Sequence, residues 1–273
     1  MKVVTAVVNN PVFIQIQYYT LQKYMKCDYE FIVFNDAKPF HDYSNGRDIN
    51  IKYSIEEMCR KLNIQCINIP NLHHIKQQDA SIRTADSMNF ILEYQKRNPD
   101  KYLLLDSDMF LVDNFELSDY EKYDCSVVLQ SRFDNKIKYF WNGLYYFDIN
   151  KMNNLSLLNW NCFPSSDTGG MMQLWLLTQD IQDKNSLNNK SNIYYIEHLS
   201  SCSWNENEIP ENLKDNAKLI HFIKTDPRNQ NDKFFCEIYD NKFLHYRAGG
   251  NWEKRNMNIH VALTLKLREL LLN

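Results

Sequence analysis

Four short apolar runs constrain this chain more than any other feature: VVTAVV at 3–8, YEFIVFND at 29–36, IQCINIP at 64–70 and KYLLLDSD at 101–108. Near-continuous apolar runs of this length suit strands buried on both faces, as in parallel sheets covered by helices. The stretches between them carry a helical period. These are Val12 to Met25, then SIEEMCRKLN with Ser54 as N-cap and Glu57 three residues on, then Asp79 to Arg97 closed by an Asn-Pro-Asp turn. Strand and helix in alternation predict an α/β fold with a mixed, mainly parallel central sheet flanked by helices. Open parallel sheets bind ligands at the carboxyl ends of their strands, so Asn9, Asp36, Asp106 and Asp108 are expected on one edge.

Beyond Phe115 the pattern loosens. DCSVVLQS and YFWNGLYYFDIN read as strands, GGMMQLWLLTQDI as a helix, and SLNNKSNIYYIE as a polar loop entering a strand. PFHDYSNGRD is turn-rich, and the Asn- and Asp-rich pieces at 183–192 and 226–233 read as surface loops too short for linkers. With 273 residues, 44% of them hydrophobic, the chain can bury a sizeable core. The reading is one domain over 1–255 and a C-terminal helix over 256–273, packed on that domain or on a partner. Val261, Leu263, Leu267, Leu270 and Leu271 form the apolar face of that helix. Its thin cationic face favours packing over a membrane surface, with peripheral membrane association and a homodimer as the alternatives.

A net charge of −3 offers no electrostatic case for a nucleic-acid partner. Seven cysteines, an odd count without a Cys-x-x-Cys pair, suit a reduced intracellular protein better than a disulfide framework. The opening MKVVTAVVNN is too short for a secretory signal. No later window approaches the roughly 20 apolar residues of a spanning helix. A soluble, cytoplasmic protein is expected.

Asp106 and Asp108 are the chemistry-bearing pair. At i and i+2 on a regular strand they point to opposite faces, so a shared ligand requires the backbone to turn just after Leu105. Two hard oxygen ligands suit Mn²⁺ or Mg²⁺, which commonly take one or two protein carboxylates and leave positions for substrate phosphates. The plainer reading is a pair of solvated or capping aspartates at a strand end.

An apolar strand, Asp-Ser-Asp and then MFLVDNF resembles the Asp-x-Asp signature of nucleotide-sugar glycosyltransferases of the Rossmann-like GT-A fold. The order of the other pieces is also similar to the glycogenin-type retaining members. Asn9 ends the first strand, Asp36 ends the second, and a helix carrying Arg83 precedes the signature. WNGLYYFD resembles that family's acceptor-side strand, and LHYRAGGNW its C-terminal histidine segment. The resemblance runs from about Val3 to Trp252 and implies a hexosyltransferase acting on a nucleotide-sugar donor, UDP-hexose first, with retention.

It implies Asp106, Asp108 and His245 as ligands of Mn²⁺ or Mg²⁺, with His221 in KLIHFIK as the rival histidine. Asn9, Asp36, Arg83, Ser107 and Gly143 would bind the donor, and the Gly249 and Gly250 N–H groups would approach its phosphates. The family's Lys-Pro before the tryptophan is replaced by Gly250 and Asn251, so Arg247 or Lys254 would supply the positive charge. Asn142 and Asp167 are the catalytic candidates. Asp167 would orient a sugar hydroxyl or act as base, its plainer role being the N-cap of the helix that follows. Trp141 is the ring to test for sugar stacking. Acceptors in keeping with the family are a glycan, a protein or a lipid. Two other readings stand beside it: a haloacid-dehalogenase-type Mg²⁺ phosphatase, which also places Asp-x-Asp after an apolar strand, and a non-catalytic sugar- or nucleotide-binding protein.

Overall fold

A computed structural model describes residues 1–37, 50–77, 79–164, 166–180, 190–249 and 257–272. The whole PFHDYSNGRD segment and the polar stretch 181–189 lie outside the described residues, as do Gly250, Asn251, Trp252 and Lys254.

The four apolar runs are strands β1 (Lys2–Val7), β2 (Glu30–Asn35), β3 (Gln65–Asn68) and β4 (Lys101–Leu105). Between them run helices α1 (Pro11–Tyr24), α2 (Ile51–Lys61) and α3 (Ala80–Arg97). Asn10 caps α1 by accepting the Val12 N–H at 3.1 Å, with Pro11 at the first helical position where its missing N–H is not needed. Asp79 caps α3 through the N–H groups of Ser81 and Ile82. For α2 the expectation is corrected: the helix starts at Ile51, and Ser54 lies inside it, its hydroxyl donating back to the Asn50 carbonyl at 3.2 Å.

The second half supplies β5 (Met109–Leu111), β6 (Cys125–Arg132), β7 (Ile137–Asp148), α4 (Met172–Asp180), β8 (Ile193–Tyr195), β9 (His198–Leu199), α5 (Ala217–Lys224), β10 (Glu237–Tyr239), β11 (Phe243–His245) and α6 (Met257–Leu272). A seven-stranded sheet runs β3-β2-β1-β4-β7-β6-β8, with β7 alone antiparallel to its neighbours. The expected mixed, mainly parallel sheet flanked by helices is present. Alternate residues of its strands enter opposite cores: Val3, Val33, Leu103 and Leu105 meet Ile14, Leu21 and Ile55 of α1 and α2. Val4, Ile32, Phe34 and Leu104 meet Met88, Ile91 and Trp175 of α3 and α4. Burial on both faces is why the strands read as unbroken apolar runs.

A smaller antiparallel sheet, β5-β11-β10-β9, lies beside the first. Its outer layer is a third core in which Phe13 and Ile16 of α1 meet Leu219 and Phe222 of α5 and Leu263, Leu267 and Leu271 of α6. Val261, expected on the apolar face of α6, is instead exposed. Among the described residues no helix is long and apolar enough to cross a membrane.

Candidate metal centre and cleft

The two sheets meet at the Asp106–Asp108 turn. β4 ends with the Asp106 N–H donating to the Gly143 carbonyl of β7 at 2.7 Å, and the Met109 N–H then closes a turn on the Asp106 carbonyl at 3.0 Å. Gln17, buried in α1, donates its side-chain amide to the carbonyls of Asp106 and Met109 at 2.8 and 3.1 Å. The chain therefore leaves the large sheet, turns where the sequence requires it, and enters the small one as β5. Gln17 is a residue that sequence reasoning missed. Its signal is an amide at an inward position of a helix face that is apolar but for Thr20.

The small sheet delivers the third ligand candidate. His245 pairs with Met109 across β11 and β5 and with Glu237 across β11 and β10. Directly opposed residues of antiparallel strands share a face, which brings Glu237 against the imidazole. His245 Nε2 lies 3.1 Å from Asp108 Oδ1 and 4.0 Å from Asp106 Oδ2, while Nδ1 lies 2.8 Å from Glu237 Oε2. Glu237 also accepts the Ser201 N–H at 3.0 Å and the Tyr239 hydroxyl at 2.8 Å. Sequence reasoning missed this glutamate too, although a lone acidic residue in FCEIY is the signal.

One ligand atom from each of Asp106, Asp108 and His245 falls within 4.8 Å of the others. Two carboxylate oxygens and one imidazole nitrogen suit a hard or borderline divalent cation, and Glu237 on the far ring nitrogen fixes the imidazole as ligating histidines require. The residues thus fit Mn²⁺ or Mg²⁺. The charges are balanced in the same sense. Burial disfavours charge on His245, but Asp108 and Glu237 against its two nitrogens outweigh that and push the imidazolium up to about 10. Burial likewise opposes ionisation of Glu237, yet His245, the Ser201 N–H and the Tyr239 hydroxyl hold it down at about 2. Burial and the Asp108 charge drive Asp106 up to about 7, against the His245 charge and the Ser107 N–H, which pull it down. For Asp108, burial is outweighed by His245 and by the Gly249 N–H, and the carboxyl is held below its ordinary range.

Asp106, Ser107, Asp108 and His245 open into a cleft of about 620 Å³ at the carboxyl ends of β1, β2 and β4, the size of a small-molecule site. Asp36, Asn142, Asp167 and Arg247 line it as well. Asp36 is held by Asn71, whose amide donates to its carboxylate at 2.6 Å and to its carbonyl at 2.9 Å. Arg247 is the only lysine or arginine among the described lining residues, and it donates to the Ser201 hydroxyl at 2.6 Å. Arg247 and Ala248 both adopt left-handed backbone, φ 62° and 57°, which turns the chain so that the Gly249 N–H reaches Asp108 Oδ2 at 2.7 Å. A Cβ at Gly249 would fall 2.6 Å from the Phe13 ring and 2.8 Å from Asp108, so only glycine fits there.

Other expected residues lie elsewhere. Asn9 and Arg83 are buried and do not line the cleft, and the Arg83 Nη1 donates to the Gln77 carbonyl at 2.7 Å. Gly143 acts through its carbonyl on Asp106 and by making room for the Trp141 ring. Trp141 lines the cleft with one face covered, since it stacks on Tyr239 at 5.0 Å and Tyr239 stacks on His198 at 5.0 Å. Asp167 is not the N-cap of α4, which begins five residues later, and its carboxylate accepts the Thr168 N–H at 2.8 Å. His221, the rival ligand, sits on an exposed face of α5, because KLIHFIK is a helix rather than a strand. Gly250 lies outside the described residues.

A scan against protein-family models finds no match, and a search of curated proteins finds none either. Among solved structures the chain is similar to the galactosyltransferase LgtC in complex with donor and acceptor sugar analogs, at 14% identity, 75% of each chain covered and a TM-score of 0.36. An active-site mutant of LgtC matches at the same identity and TM-score, over 75% of this chain and 74% of that one.

Proposed function

We propose that this protein is a metal-dependent GT-A glycosyltransferase that moves a hexose from a nucleotide diphosphate, UDP first among them, to an acceptor hydroxyl with retention. The observation that carries the reading is the convergence of Asp106, Asp108 and His245 on the mouth of a cleft sized for a nucleotide sugar. Bound there, Mn²⁺ or Mg²⁺ supplies Lewis-acid neutralisation of the leaving diphosphate.

The protein's own residues do the rest. Glu237 holds the His245 ring so that Nε2 faces the two aspartates. Arg247, the one guanidinium among the described lining residues, adds a positive charge beside the same phosphates. Asp36, immobilised by Asn71 at the end of β2, suits a ribose or base contact, with Ser107 lining the same edge, while Arg83, behind the wall, braces the Gln77 carbonyl. Asp106 and Asp108 are committed to the cation and Asp36 to Asn71. Asp167 is then the lining carboxylate left to address the sugar or acceptor, beside Asn142. In a retaining reaction the acceptor oxygen attacks from the face the diphosphate leaves, its proton passes to the departing phosphate oxygen, and the bond to the anomeric carbon is exchanged on one face. The acceptor is a glycan, protein or lipid met in the cytoplasm.

Release of free nucleoside diphosphate from UDP-, GDP-, ADP- and dTDP-sugars, with Mn²⁺, Mg²⁺ or EDTA, tests the reading. Metal-dependent release from one donor, abolished in Asp108→Ala, is expected. No release, together with no thermal stabilisation by any nucleotide with Mn²⁺, would sink it in favour of the phosphatase or the inactive binder.

A further inference from the structure

Outside the cleft, the 3-10 turn Leu72–Lys76 that follows β3 carries two adjacent histidines that aim the same ring atom at one oxygen. His73 Nε2 lies 2.7 Å and His74 Nε2 2.5 Å from Asp86 Oδ2 on α3, and the two rings meet edge to face at 4.3 Å between centroids. His74 is 3% exposed, whereas His73 is 65% and Asp86 51% exposed, so the cluster has one fixed wall and one side open to water. It borders a recess of about 460 Å³ that shares no lining residue with the cleft.

We propose that His73, His74 and Asp86 form a second metal site, which takes a transition-metal ion of the Zn²⁺ type and braces the β3–α3 connection against α3. The donor atoms of the three side chains fall within 4.8 Å of one another, close enough for a small inward movement to place one ion among them. Two imidazoles and one carboxylate favour Zn²⁺, with water completing the tetrahedron, and disfavour Mg²⁺. The donor set at Asp106, Asp108 and His245 has the opposite balance, so the two sites differ in the ion they select. Each ring gives its Nε2 lone pair to the ion, and the proton that Nε2 carries toward Asp86 moves to Nδ1 or leaves to solvent. The braced segment also holds the donor side of the cleft: Asn71 grips Asp36, and the Gln77 carbonyl accepts from Arg83.

The test is calorimetric titration of the whole protein with Zn²⁺, in an Asp108→Ala background that dismantles the cleft site. The parent protein in excess Mg²⁺ is titrated alongside, so that misfolding of that variant does not decide the result. One ion per chain is expected, with a rise in Tm. His73→Gln and Asp86→Asn, both at exposed positions, are each expected to weaken binding by more than the roughly 10–100-fold that losing an outer partner costs. Equal Zn²⁺ affinity in parent and variants, loss in only one of the two, or no Zn²⁺ uptake beyond the cleft site would overturn the proposal.

Discussion

His245 shows how much one residue's setting decides. Its ring is clamped between Asp108 and Glu237, each removed from water, and the proton it holds up to about 10 in the absence of a cation must leave before Nε2 can ligate one. Apparent Mn²⁺ affinity is therefore expected to rise with pH across the neutral range, by about tenfold per unit for one displaced proton. Titrations at pH 6.5 and 8.5, in buffers of different ionisation heat, count that proton directly, and a pH-independent affinity would contradict the assignment of His245 as ligand. Glu237→Gln tests the same clamp from behind. The amide keeps the shape and loses the charge, so Mn²⁺ affinity falls by about 10–100-fold while the circular dichroism spectrum is unchanged. Its effect on stability has a definite sign. Glu237 is depressed from its ordinary 4.5 to about 2, so its contribution is fully present above pH 4.5 and fades as the pH falls toward 2. The variant's acid unfolding should lack that limb.

At the level of elements, β7 couples sheet geometry to the site. Gly143 hands its carbonyl to the Asp106 N–H, and a Cβ there would lie 2.2 Å from the Trp141 ring, whose other side is fixed by the stack on Tyr239. Gly143→Ala must expel the indole or bend β7, at a cost of about 1–3 kcal/mol. A urea melt reads the loss and the near-ultraviolet dichroism reads the displaced ring. A change within about 0.5 kcal/mol would mean that the ring moves freely. Which elements were legible in advance follows from burial. β1, β2 and β4 are buried on both faces and announce themselves as apolar runs, and the Asp106–Asp108 turn follows from where the fourth run stops. β5, β9, β10 and β11 span only two or three residues each, too short for any periodicity, so the sheet that positions His245 and Glu237 is invisible in the sequence. KLIHFIK misleads for the related reason that a short apolar run suits a strand or a buried helix turn equally. Gln17, Asn71 and Glu237 went unnoticed because their partners lie far away in the chain, and single polar residues carry no pattern.

For the whole molecule, the question is whether α6 is part of the folded unit or an appendage to it. Leu263, Leu267 and Leu271, spaced four apart, are at most 5% exposed and pack into the core that holds Phe13 of α1 and Phe222 of α5. His260 Nδ1 meets the Tyr246 hydroxyl at 3.0 Å, one residue beyond His245, so the helix is tied to the segment that completes the metal centre. Burying three leucine side chains is worth about 5–9 kcal/mol at about 1.5–3 each, which rivals the roughly 5–15 kcal/mol that holds a whole domain together. Deleting residues 257–273 is therefore expected to give an insoluble or cooperatively unfolded protein rather than a trimmed enzyme, as read by solubility and by the loss of a thermal transition. A helix built to lie on a membrane would behave oppositely. Its removal would leave Tm unchanged and abolish only flotation with liposomes, and that outcome would detach α6 from the fold. Leu267→Ala gives a graded version of the same test: a fully buried leucine truncated in place costs about 2–5 kcal/mol. Because α6 and the metal centre share Tyr246, the loss of stability should be accompanied by weaker Mn²⁺ binding.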